Sequence, residues 1–133
     1  MKGSVLIVDD DSLVRATLRL FLEGDRWEVI DARNGKQALD QLRARAFDAI
    51  VTDLMMPEME GIETILKIRQ SGIKAPILVI SGGFSVRQAP DGSGVADLLR
   101  MSRELGATET LAKPFKAAEF LERINRLTGV AAS

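Results

Sequence analysis

Five short apolar runs, each separated from the next by a longer stretch of helical spacing, limit what this chain can fold into more than any other feature. The runs lie near Val5–Val8, Trp27–Asp31, Ala49–Thr52, Ile77–Ile80 and Thr110–Ala112. Their central members are apolar at successive positions rather than at alternate ones, so both faces of those strands must be covered. Strands of that kind, alternating with helices, belong to a parallel sheet with helices on both sides. The intervening spacing predicts helices over about Ser12–Glu23, Lys36–Arg45, Ile62–Gln70, Val95–Leu105 and Ala117–Leu127. Glycines at 24, 35, 72 and 106 suit turns and helix stops. A chain of 133 residues is most simply one domain with one substantial core, expected over about residues 4–128, with a frayed tail at 129–133. Residues 82–94 hold four glycines and Pro90 and read as a long loop.

In an open parallel sheet, ligands gather outside the carboxyl ends of the strands. The unusual residues of this chain fall there. Asp9, Asp10 and Asp11 follow the first run, Asp53 the third, Ser81 the fourth and Lys113-Pro114 the fifth. The second run ends in Asp31-Ala32-Arg33, which reads as a solvated edge. Two carboxylates about 4 Å apart repel by roughly 4 kcal/mol at an effective dielectric near 20. An acidic group of this kind must therefore protonate in part, spread into water or bind a cation. A cluster of carboxylates, one hydroxyl and one ammonium suits phosphoryl transfer, where catalysis is mainly positioning and charge neutralisation. The plainer role for an aspartate ahead of a helix is capping, and Asp11 is the best placed of the three for it.

Composition removes several other chemistries. The chain has no cysteine and no histidine, which excludes disulfides, thiolate metal sites, imidazole-built zinc sites and histidine general bases. A net charge of -1 gives no general attraction to nucleic acid or to an anionic membrane, and no apolar run is long enough to span a bilayer. A cytoplasmic setting is expected, without direct nucleic-acid or membrane partners.

Four separated motifs carry a resemblance over almost the whole chain. Val8-Asp9-Asp10-Asp11, then Thr52-Asp53-Leu54-Met55-Met56-Pro57 with Gly61, then Ser81, then Lys113-Pro114-Phe115 resemble the receiver domain of two-component response regulators, the CheY-like family. The resemblance implies an α/β flavodoxin-like fold, a five-stranded parallel sheet in the order 2-1-3-4-5. It implies that Asp53 is the phosphoacceptor, an already ionised carboxylate that needs no base. It further implies that Asp9, Asp10, Asp53 and the backbone carbonyl of Met55 hold Mg²⁺, whose preference for oxygen ligands and retained waters suits a shallow acidic site. Lys113 and Ser81 would contact the phosphoryl group. Family members often have a cis bond before the proline, and the same is expected of Lys113-Pro114.

The partners implied are a sensor histidine kinase or a histidine phosphotransfer protein, and a downstream effector or second copy at the face of the last two helices and the fifth strand. The chain would be a signalling phosphoacceptor that catalyses only its own phosphorylation and dephosphorylation. Almost no sequence follows residue 128, so no output domain is expected within these residues. The alternative is a pseudo-receiver that binds proteins without being phosphorylated. Two departures qualify the match: Thr110 stands where many receivers carry a switching aromatic, and residues 82–94 lengthen the path from Ser81 to Lys113. A loop of that length costs little to close; its Phe84, Val86 and Arg87 could cover the site or meet a partner. Helical spacing makes most of Val95, Leu98, Leu99, Ser102, Leu105, Leu121, Ile124 and Leu127 core residues, with Met101 and Phe120 nearer the edge of the stripe.

Overall fold

The structure is a computed structural model that describes residues 1–54, 60–82, 100 and 102–130. Met55, Pro57, nearly all of the expected long loop, the first part of the helix expected over Val95–Leu105, Met101 and the last three residues lie outside the described set.

The strands are β1 (Gly3–Val8), β2 (Trp27–Ala32), β3 (Ala49–Asp53), β4 (Ile77–Gly82) and β5 (Glu109–Lys113). All pairings are parallel, in the order β2-β1-β3-β4-β5. The helices are α1 (Ser12–Gly24), α2 (Gly35–Ala44), α3 (Glu60–Gln70) and α4 (Ala117–Thr128), and residues 102–105 are also helical. The expected order 2-1-3-4-5 is therefore the one observed. Every strand is longer than the apolar run that announced it: β1 gains Gly3 and Ser4 at its amino end and β2 gains Ala32, while β3, β4 and β5 gain carboxyl-end residues that include Asp53, Ser81 and Lys113.

Alternation of side chains along each strand divides the core in two. Leu6, Val8, Ile50, Ile77 and Val79 pack with Ile62, Ile65 and Ile68 of α3 and Ala38 of α2 on one face. On the other, Val5, Ile7, Val51, Leu78, Ile80 and Leu111 pack with Leu18 and Leu22 of α1 and Phe120 and Ile124 of α4. Every residue of β3 and all but the first of β1 are buried, as strands covered on both faces must be.

One expectation needs correction. Phe120 is not at the edge of its stripe: it is fully buried, stacked on Phe115 at 5.8 Å between ring centroids and tilted against Phe21 at 6.3 Å. A ring of this size fills the wedge where α1 and α4 meet the sheet. At the end of β2, an outermost strand, Arg33 and over a third of the Asp31 side chain are exposed, as expected of a solvated edge. Ala32 is buried, and Asp31 lies between two guanidiniums, 3.7 Å from Arg15 Nε and 3.6 Å from Arg19 Nη2.

Candidate active site at the carboxyl edge of the sheet

Sheet register sets the site. Val8 pairs with Thr52, so Asp9 and Asp53, the next residues along β1 and β3, reach the same level of the sheet edge. Asp53 pairs with Ile80 and Ile80 with Leu111, which places Ser81 one residue on and Lys113 two residues on from that level. Asp53 Oδ2 lies 3.8 Å from Lys113 Nζ, the Asp53 side chain nearly buried and the lysine about one quarter exposed. The Lys113-Pro114 peptide is cis.

The three aspartates after β1 differ sharply. Asp11 is the N-cap of α1: its Oδ1 accepts from the N–H of Leu13 at 2.8 Å and of Val14 at 3.4 Å. Asp10 is exposed. Asp9 is fully buried; its Oδ1 accepts from the N–H of Asp11 at 2.8 Å, and its Oδ2 has no hydrogen-bond donor among the described residues. Burial pushes the Asp9 carboxyl from 3.8 up to about 7, with the neighbouring Asp53 carboxyl adding to the rise and the Asp11 N–H and the Lys113 charge opposing it. Ser81 Oγ, also buried, likewise lacks a partner among the described residues. Buried polar atoms are nearly always hydrogen-bonded, so two orphans on the strand ends either side of β3 mark this edge as unfinished among the described residues.

The donors available here are oxygens without exception, the set a hard cation takes. Asp9 Oδ2 is a buried, unshared carboxylate oxygen beside a second carboxylate, and a divalent ion would remove both the orphan and the repulsion. Among the described residues no three carboxylates already converge closely enough to grip an ion, and Asp10 stands in solvent.

Gly61 guards the approach from α3. A Cβ placed on it would meet Asp53 O at 2.6 Å and Leu54 O at 2.8 Å, so only glycine lets the first turn of α3 lie against the end of β3. Thr110, at the position of the usual aromatic, pairs with Val79, and its carbonyl accepts from Arg123 Nη1 at 3.2 Å. It is partly exposed.

Two features escaped sequence reading. A groove of about 360 Å³ runs between α1 (Leu13, Val14, Thr17, Phe21) and Lys113-Pro114-Phe115. Leu13 is 72% exposed and Leu20 71%, on the side of α1 away from its buried Leu18 and Leu22. The signal was available, since α1 carries more apolar residues than a single buried stripe requires. The second feature is Arg15, whose Nη1 donates to the Asp9 carbonyl at 2.6 Å.

Comparison with known proteins agrees with this geometry. The family model for the response regulator receiver domain matches residues 5–125. Response regulator MprA of Mycolicibacterium vanbaalenii is 37% identical over 127 residues, 96% of this chain and 51% of that protein. The chain thus spans about half the length of the curated relatives it matches. Among solved structures, a response regulator from Chloroflexus aurantiacus aligns with a TM-score of 0.78 at 29% identity, covering 96% of this chain and 98% of that one. The chemotaxis response regulator CheY4 of Vibrio cholerae aligns at 0.76 and 28%, covering 94% and 98%. A family model that covers nearly the whole chain, on a sheet of this order with acidic residues at the carboxyl ends of β1 and β3, leads to one conclusion: the chain belongs to the response regulator receiver domain family of two-component systems.

Proposed function

We propose that this receiver is a phosphoacceptor, modified on Asp53 by a phosphohistidine of a partner kinase or phosphotransfer protein. The observation that carries the reading is the pairing of a nearly buried Asp53 carboxylate with the Lys113 ammonium, beside an Asp9 oxygen that has no donor among the described residues. An Asp53 oxygen attacks phosphorus, the new O–P bond forms as the P–N bond breaks, and the electron pair returns to the donor imidazole. The product is an acyl phosphate. Lys113, which neutralises the carboxylate beforehand, moves its charge to a phosphoryl oxygen, and the Ser81 hydroxyl donates to another. Water attack at phosphorus later releases inorganic phosphate and restores the carboxylate, so the chain catalyses only its own modification.

Asp9, Asp10, Asp53 and the Met55 carbonyl would hold Mg²⁺, which receiver domains generally use. When bound, the ion neutralises charge on the transferring phosphoryl group. The donor protein must bring its phosphohistidine to this edge, and the apolar groove beside Lys113 offers it a surface. No described helix is long and apolar enough to cross a membrane.

The test is intact-mass analysis after incubation with acetyl phosphate and Mg²⁺. The wild type should gain one phosphoryl group, and Asp53→Asn or a chelator should abolish the gain. An unmodified wild type would favour the protein-binding pseudo-receiver, and modification of the Asp53→Asn protein would move the acceptor elsewhere.

A further inference from the structure

We propose that Arg15 is a positioning residue for the acidic turn, holding the main chain at Asp9 in the shape that receives a divalent cation. The inference rests on the cation-assisted phosphoacceptor reading above. Arg15 leaves α1 four residues after its cap and reaches back to the sheet edge, where Nη1 donates to the Asp9 carbonyl at 2.6 Å and Nε lies 3.7 Å from Asp31 Oδ2. Its side chain is only 18% exposed. Asp9 is thereby caught from two sides, because its N–H donates to the Ala32 carbonyl of β2 at 3.1 Å while its own carbonyl is taken by Arg15. The Asp11 N–H fixes Oδ1. These three contacts engage every polar atom of Asp9 except Oδ2, so the turn presents one buried carboxylate oxygen in a fixed orientation.

Asp31 is the post to which Arg15 is tied. It is braced in turn by Arg19, whose Nη2 lies 3.6 Å from the other Asp31 oxygen and whose Nη1 donates to the Val29 carbonyl at 3.0 Å. A planar guanidinium engages two acceptors in a set relation to each other, which an ammonium cannot do. Partners that orient a ligand from behind commonly govern affinity as much as the ligand does.

Charge and positioning oppose each other at this residue. A guanidinium beside a cation site weakens binding by repulsion alone, so a residue acting only through charge would, when neutralised, let Mg²⁺ bind more tightly. A positioning residue gives the reverse.

Calorimetric titration of the full chain with Mg²⁺, without any phosphodonor, separates the two. Arg15→Gln should raise the dissociation constant about tenfold, the lower range for residues that orient a metal ligand. Arg15→Lys should recover part of the loss, and Asp31→Asn should weaken binding in the same direction by a smaller factor. Arg45→Gln, which removes the ion pair to Glu28 at the opposite end of β2, should leave Mg²⁺ affinity unchanged. Mg²⁺ binding by Arg15→Gln as tight as wild type, or tighter, would overturn the inference alone. If that variant does not fold, unchanged affinity in Asp31→Asn overturns it. Failure of the wild type to bind Mg²⁺ would remove both this inference and the cation-assisted reading beneath it.

Discussion

The two edges of the sheet handle buried polar groups in opposite ways. At the carboxyl edge, Asp9 Oδ2 and Ser81 Oγ are buried without partners among the described residues, and two carboxyls press on each other. At the amino edge nearly every such group is paired. Lys2 Nζ lies 2.9 Å from Asp25 Oδ2, Asn125 Nδ2 donates to the same oxygen at 3.1 Å, and Lys2 also donates to Asn125 Oδ1 at 3.3 Å. Those contacts join the chain start, the turn after α1 and the last helix. Arg69 donates to the carbonyls of Gly106, Ile73 and Ala75 at 2.8 to 3.0 Å, tying the end of α3 to the entrances of β4 and β5. Among the described residues Trp27 Nε1 is the exception, buried without a hydrogen bond of ordinary geometry. One edge stores stability and the other forgoes it, the pattern expected where a site must be ready for a ligand the chain does not contain.

The largest test of that contrast is Arg69→Met. Three part-buried carbonyls would lose their donor at once, at a cost of about 3 kcal/mol in total. Urea unfolding should show the loss, while phosphoryl uptake at temperatures where the variant is folded should stay near wild type. A comparable drop in uptake by the folded variant would mean that the two edges are not independent.

Asp9→Asn should act the other way. With its carboxyl raised to about 7 in the folded chain and 3.8 as the ordinary value, the folded state loses stability as pH rises between those values and carries the full penalty above about 7. Removing the charge should therefore stabilise the chelator-treated protein by about 2 kcal/mol at pH 8, less than the full linkage value because Asp53 shares the field. The gain should vanish below pH 4. A gain of equal size at pH 4 and pH 8 would place its origin outside the ionisation of Asp9.

Lys2→Met tests the amino edge by charge. Burial alone would raise the Asp25 carboxyl, but the hydrogen bonds from Lys2 and Asn125, the Lys2 charge and the Trp27 N–H together hold it below 3.8. Asp25 thus stabilises the fold above that value, and the contribution fades as pH falls through the lower folded one. The substitution should cost about 1.5 kcal/mol at pH 7, below the range for fully buried pairs because Asp25 keeps some solvent, and the difference from wild type should close in acid. A difference that persists at pH 2 would point to packing of the lysine stem.

The smallest effect belongs to Arg26, which turns the chain from α1 into β2 with φ at 68°. Arg26→Gly should stabilise by about 0.5 kcal/mol, since the left-handed cost of a side chain slightly exceeds the entropy that glycine adds to the unfolded chain. Thermal melting resolves a shift of this size.

The fold was legible because its information is periodic: runs such as Val5–Val8 and Ala49–Val51 declare buried strands, and helical spacing declares the layers over them. The strand ends were less so, since Asp53 and Ser81 belong to the ladder by register, which apolar patterning does not carry. The places of Asp9, Asp53 and Ser81 at the carboxyl edge were legible because short side chains act close to where the backbone puts them. Arg15 and Arg69 were not, because a long side chain can reach a carbonyl several residues distant along the chain, or tens of residues, and no spacing records its choice. Phe120 was misjudged for a related reason: a helical wheel gives the direction of a ring but not the depth of the wedge it enters.

The hydrogen-bond ladder continues past Asp53, with the Leu54 N–H donating to the Ile80 carbonyl at 2.9 Å. The strand bearing Asp53 lies between β1 and β4, whereas the strand bearing Lys113 has a neighbour on one side only. Mechanically the sheet is a beam clamped at the centre and free at the rim. A force applied at Asp53 must break bonds on two sides to move that strand and on one side to move β5, so compliance, and any displacement that modification sets off, runs outward to the β5 rim.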